Sequence, residues 1–223
     1  MSRHHSSQSL SQSSHSKPPV SLHGSTHLDP AAYVRGTHPI ALGHDVLIHP
    51  RAQLSSTHGS LDVGDGCVVS EKAVLGGTAP ASSSDHKHYR EETVDSNTGD
   101  RLEADLASPE SSKTIVGKSV HIHSHASILS SSTIGSYTVL EAHSTILPHV
   151  TIGSHCKICA GVTVTRNVPD WTVVFGDGNQ RRMRVDAEVT EKLRLNTMDR
   201  GREATTAILR HAAAKAQMAP RKK

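Results

Sequence analysis

From Val116 onward an aliphatic residue recurs every six positions: Val116, Ile122, Ile128, Ile134, Leu140, Ile146, Ile152, Ile158 and Val164. Nine consecutive hexads therefore open on Val, Ile or Leu, with no residue inserted or deleted. The fifth position of each hexad is small or β-branched: Val120, Ala126, Ser132, Thr138, Ser144, Val150, Cys156, Val162 and Val168. A period of six fits neither an amphipathic helix nor a half-buried strand, whose periods are about 3.6 and 2. It predicts a β-helix, in which each hexad makes one short strand and one turn and three strands close a coil of about 18 residues. Residues 116–169 are thus expected to form three coils.

The period is present upstream in looser form. Leu42, Ile48 and Leu54 are six apart, as are Val63, Val69 and Leu75, with Leu28 and Val34 opening an earlier coil. Glycine follows the inward aliphatic at positions 43, 64, 117, 135 and 153, where a strand passes into a corner and backbones approach closely. Between Gly76 and Lys113 the period is lost, and this polar stretch reads as a loop thrown out from a corner of the prism. Residues 1–27 are rich in Ser and His and poor in large apolar side chains, and are expected to be a disordered tail. After Val168-Pro169 a last partial strand and a glycine turn precede a basic linker and a helix within 177–223. Asp186 is its expected N-cap, and Val189, Leu193, Ile208 and Leu209 are its apolar positions. Gly201 is a candidate break in that helix. The chain then divides into 1–27, a β-helix over 28–176 with its loop at 76–113, and 177–223.

Composition agrees with a prism filled by aliphatics, since the aromatic residues are only Tyr33, Tyr89, Tyr137, Trp171 and Phe175. Stacked coils bury their Ile, Leu and Val on one another and need no aromatic core. The net charge of +3 is uneven: residues 76–113 carry eight acids against four bases, and 181–223 twelve bases against five acids. A basic end of this kind suits an acidic protein surface. Three cysteines make no disulfide framework, and no apolar run resembles a signal peptide or membrane span, so an intracellular, soluble protein is expected.

The chain has 18 histidines, which raises the question of catalysis. His125 and His143 are 18 apart and should stack on one corner about 4.8 Å apart. His121 and His123 flank the inward Ile122 and should point outward as surface residues. The CxxC spacing of Cys156 and Cys159 reads as structural, because Cys156 occupies the small inward position of its hexad.

Over residues 28–176 the repeats resemble the left-handed hexapeptide-repeat proteins. That resemblance implies an all-β fold, a left-handed parallel β-helix of hexapeptide repeats with a C-terminal α-helix. The group holds acyltransferases with a catalytic His, γ-class carbonic anhydrases with a three-His metal site, and scaffolds without an activity. Set against the γ-class pattern, the three ligand positions fall on His125, Ser130 and Gly76, so one imidazole of three is present, and zinc needs three protein ligands. The closing run, with Pro169, Thr172 to Gly176 and Arg181-Arg182, and the early run from Leu42 to Leu54, resemble the dynactin subunit 6 family. The resemblance implies a non-catalytic structural subunit of the dynactin pointed-end complex, in the cytoplasm and cytoskeleton, supporting dynein cargo-adaptor docking and microtubule-based transport. Its implied partners are dynactin subunit 5, dynactin subunit 4 and the pointed-end actin-related protein, with no nucleic acid and no membrane span. Catalytic, cofactor and metal residues are expected to be none. An enzyme of the γ-carbonic-anhydrase or acyltransferase type is the alternative.

Overall fold

Each hexad does become one strand and one turn. The structure, a computed structural model, describes residues 17–78, 113–177, 180–183 and 188–218. The first coil is β1 (Val20–Leu22), β2 (His27–Leu28) and β3 (Tyr33–Gly36), and the second is β4 (Ile40–Leu42), β5 (Leu47–Ile48) and β6 (Gln53–Ser56). The third is β7 (Leu61–Val63), β8 (Val68–Val69) and β9 (Val74–Gly77). Next come β10 (Thr114–Val116), β11 (His121–Ile122) and β12 (Ser127–Leu129), then β13 (Thr133–Ile134), β14 (Val139–Leu140) and β15 (Thr145–Ile146). The sixth coil is β16 (Thr151–Ile152), β17 (Lys157–Ile158) and β18 (Thr163–Val164). A hairpin of β19 (Thr172–Phe175) and β20 (Gln180–Met183) and a single helix α1 (Glu188–Met218) complete the chain.

The coils stack into three parallel sheets, forming a left-handed β-helix of six turns. Sheet A runs β1-β4-β7-β10-β13-β16, sheet B runs β2-β5-β8-β11-β14-β17-β19-β20, and sheet C runs from β3 to β18. In the lower coils the register advances by one 18-residue turn, as in Val116↔Ile134↔Ile152 and Ile122↔Leu140↔Ile158. All these inward residues are essentially inaccessible. The hydroxyls at the fifth position are buried too, and each finds a carbonyl: Ser132 donates to Leu129, Ser144 to Glu141 and Thr138 to Gly153. A buried hydroxyl left without such a partner would cost about 1–3 kcal/mol.

The corners account for four of the histidines. His125, His143, His149 and His155 sit at the fourth position of their hexads with φ between 57° and 61°, as do Ser119, Ser131 and Tyr137 at 50–62°. Left-handed backbone is disfavoured for residues with a Cβ, and His tolerates it better than most. Coil-to-coil bonds hold the corners, for example from the Tyr137 N–H to the Lys118 carbonyl and from His155 to Ser136. Gly135 meets a different demand. A Cβ there would come within 2.4 Å of the Gly153 carbonyl carbon, so only glycine lets these turns nest.

Four expectations are corrected. The β-helix begins at Val20 and not at residue 28, because β1 pairs with β4 two residues out of the 18-residue register. It ends with a slip of two: Val168, expected as a small fifth-position residue, pairs with Ile152 as an inward strand residue, and Ile158 pairs with Val174. Residues 180–183 are no linker but a strand antiparallel to β19. Finally α1 is continuous through Gly201, and Val189, Leu193 and Ile208 face away from the prism, 76, 67 and 67% exposed. Arginines hold the helix on instead. Arg194 donates to the Tyr137 carbonyl, Arg202 to that of Asp45 and Arg210 to that of Ser25. Residues 1–16, most of the 76–113 loop and Asp186 lie outside the described residues.

Candidate functional site

Sheet B is the face that α1 overlies. Leu47 and Val68 alternate outward from it, yet both are buried on the side where the arginines of α1 reach the coils. Lower down, the helix stands off and leaves a groove of about 660 Å³ between Arg194 and Met198 of α1, the β19–β20 hairpin at Phe175 and Arg182, and sheet B.

Successive coils place one chemical group each along the groove floor. The N–H of His123 bonds the Leu140 carbonyl, that of Glu141 the Ile158 carbonyl, and that of Cys159 the Val174 carbonyl. His123, Glu141 and Cys159 therefore form a column with a coil spacing of about 4.8 Å. The Glu141 carboxylate accepts from Lys157 Nζ at 2.7 Å and from the Ala160 N–H at 3.0 Å. Burial pushes this carboxyl upward, but the Lys157 bond and charge, the Ala160 N–H and the neighbouring His123 outweigh it, so its pKa lies below the ordinary value. It is an ionised carboxylate one coil from the exposed His123.

His121 differs from the expected surface residue. Burial beneath the helix side of the groove pushes its pKa down to about 4, and His123, Arg194 and Arg202 act in the same direction. At neutral pH it is an uncharged imidazole. No periodicity could have signalled this, because the helix that covers it, with Arg194 and Arg202, comes from a remote part of the chain. The linkage has a definite sign. An unfolded His protonates near pH 6.5 and the folded one only near 4, so in between the unfolded chain binds more protons. Stability is therefore expected to fall as pH drops from about 6.5 to about 4. Thermal melts of the parent and His121→Asn across that window should show a shallower decline in the variant. Curves that decline in parallel would contradict the assignment.

The other histidine positions are placed plainly. His125 and His143 stack as expected, ring centroids 4.6 Å apart and planes 12° from parallel. Ser130 does lie against the Gly76–Gly77 strand, its N–H bonding the Gly77 carbonyl, but neither carries an imidazole toward His125. Among the described residues no group of three or more His, Cys, Asp and Glu is placed to hold a metal ion. Cys156 points inward and donates to the Pro169 carbonyl, whereas Cys159 faces the groove half-buried, so the pair splits across the strand and no disulfide joins the three cysteines. Burial drives the Cys67 thiol up to about 12, leaving it an unreactive core residue.

A second cluster locks the lower end of α1. Tyr137, His155 and Trp171 stack on one corner, centroids 4.9 and 4.1 Å apart. His155 Nδ1 lies 2.8 Å from Glu191 of the helix, a carboxylate only 4% exposed that also takes two bonds from the Arg194 guanidinium.

Residues 131–166, the fifth and sixth coils, match the family described as bacterial transferase hexapeptide (six repeats). The chain is a hexapeptide-repeat β-helix. No curated protein matches it at a significant level. Among solved structures, it is similar to a hexapeptide transferase family protein from Anaplasma phagocytophilum, with 15% identity, 86% of this chain and 92% of that one covered, and a TM-score of 0.59. It is also similar to a Bacillus cereus protein assigned as an acetyltransferase, with 16% identity, 85 and 92% coverage, and a TM-score of 0.61. At such identities the likeness carries the fold. It nevertheless corrects the expectation of a chain that is not an enzyme, because the matched repeat family and both structural relatives are described as transferases. None of them is a dynactin subunit. No helix among the described residues is long and apolar enough to cross a membrane.

Proposed function

We propose that the hexapeptide β-helix is an acyltransferase whose reaction runs in the groove between α1 and sheet B. The observation that carries this reading is His123 standing one coil from the ionised Glu141, with Lys157 and Arg182 on the same groove. In this reaction an acceptor amine or hydroxyl attacks the carbonyl carbon of an acyl thioester. The new C–N or C–O bond forms, the C–S bond breaks, and the acceptor's proton passes through His123 to the departing thiolate. Glu141 stabilises the imidazolium that forms in between. Lys157 and Arg182 suit a donor that carries phosphate groups. Donor binding by acetyl-coenzyme A and thiol release with a panel of amine acceptors test the reading. His123→Ala should lower turnover by about 10²–10⁴-fold while leaving donor affinity nearly unchanged. A chain that neither binds the thioester nor releases thiol would overturn it.

A second reading is favoured by the closing segment. Thr172–Phe175, the returning strand with Arg181 and Arg182, and the long helix follow one another in the order on which the dynactin subunit 6 resemblance rests. In that reading the chain is a subunit of the dynactin pointed-end complex in the cytoplasm and cytoskeleton. It meets dynactin subunit 5, dynactin subunit 4 and the pointed-end actin-related protein there, and supports cargo-adaptor docking. A rigid prism presents such an interface at little ordering cost. Co-expression with dynactin subunit 5 and size-exclusion chromatography separate the two readings: co-elution supports this one, and separate elution removes it.

A further inference from the structure

The two ends of the β-helix are finished differently. At the C-terminal end β20 pairs with β19, and Arg181 donates to the carbonyls of Asn167 and Arg166. At the N-terminal end β1, β2 and β3 are the terminal strands of all three sheets, and among the described residues nothing pairs with their outer edges. The inward residues of this coil are open as well. Leu22 is 49% exposed where its partner Leu42 in the next coil is 4%, and Leu28 and Val34 are half-buried where Ile48 and Leu54 are fully buried. Val20, Leu28 and Val34 lie around a hollow of about 720 Å³ with the 58% exposed Tyr33 at its side and Lys17, Asp29 and Arg35 on its rim, and Leu22 is exposed beside it on the same end of the prism.

We infer that this open first coil is an interface between two copies of the chain, stacked end to end about a two-fold axis. Three features favour a second copy over other occupants. First, the unpaired edges lie on three sides of a triangle, and only the end of another coil offers three strands at once; a docked peptide would pair with one. A two-fold axis across the end reverses the direction of every strand, so each meets its mate antiparallel, as isologous symmetry requires. Second, the rim carries both signs of charge, so the same surface can face itself with Asp29 toward the basic residues. Third, of the 16 residues that precede Lys17 only Met1 and Leu10 are large and apolar, too few to fill an apolar hollow. Long unpaired edges invite association, and here the association is specific because the strands, hollow and rim must register together. The contact is small, which makes the assembly weak and dependent on concentration.

This interface stands on the first coil and is independent of the groove chemistry. Its test is the mass of the full-length chain by light scattering and sedimentation, over about 1–500 μM. The expected result is an assembly whose mass halves on dilution, and halves at all concentrations in the double variant Leu22→Glu, Tyr33→Glu. The rim variant Arg35→Asp, which touches no core residue, should shift the dissociation to higher concentration in the same direction. At dilutions where the parent is monomeric, Arg35→Asp should keep the parent's melting temperature because its side chain is exposed, so its effect on the mass is independent of any loss of packing at Leu22. A parent that stays monomeric throughout overturns the inference. So does an assembly whose mass neither variant changes, because its contact then lies elsewhere on the prism.

Discussion

Leu140→Asp should abolish the folded state of the lower coils. Leu140 is fully inaccessible, on β14 between Ile122 of the coil above and Ile158 of the coil below. Every neighbour in that column is aliphatic, so the carboxylate has no partner and must either stay charged in an apolar interior or take up a proton. Burying it and losing the leucine packing together cost on the order of 5 kcal/mol. A domain's whole stability is only about 5–15 kcal/mol. Because each coil rests on its neighbours, the loss spreads along the stack. The adjacent Val139 points outward on the same strand, and Val139→Thr should cost less than about 1 kcal/mol. Circular dichroism melts and soluble yield check both. A soluble Leu140→Asp protein melting with the parent would contradict the inward assignment of the whole row.

Glu191→Ala should release α1 while leaving the coils folded. The buried carboxylate is bonded to His155 and twice to Arg194, which in turn donates to the Tyr137 carbonyl. Its removal strands a partly buried guanidinium, and breaking a buried pair in this way costs about 3–5 kcal/mol. Apolar packing adds little at this end of the helix, because Val189 and Leu193 are mostly exposed. A detached helix of this composition is marginal in water. Amide exchange in Glu188–Met218 should accelerate by orders of magnitude with the coil amides still protected. The groove loses its Arg194–Met198 wall, so acyl transfer should fall as well. Glu191→Gln, which keeps the shape and some hydrogen bonds, should show the smaller effect. Unchanged protection of the helix in Glu191→Ala would place its anchorage in Arg202 and Arg210 alone.

Much of the fold was legible because its physics is local. A six-residue period specifies which side chain points inward whatever lies elsewhere, and the aliphatic row from Val116 to Ile158 occupies the core at the positions the period dictates. The corner stack of His125 on His143 follows from the same arithmetic, since residues 18 apart must superpose in regular coils. Where a coil departs from 18 residues, at residues 36–41, 55–62 and 165–168, the period by itself places the next strand wrongly, as Val168 shows.

The candidate site was not legible in this way. His121 and His123 have the same outward periodicity as any surface pair, and only the covering helix separates the half-buried, neutral one from the exposed one. The helix itself misleads, for its aliphatic residues suggest an apolar stripe while its attachment runs through Arg194, Arg202 and Arg210 to backbone carbonyls. Backbone carbonyls at left-handed corners leave no mark in the sequence, because any residue supplies one. The sequence alone therefore determined the prism, its axis and its inward rows, through contacts that repeat with the chain. Only the tertiary structure decided which outward residues are gathered, covered and shifted in charge, because those properties depend on elements brought together from remote parts of the chain.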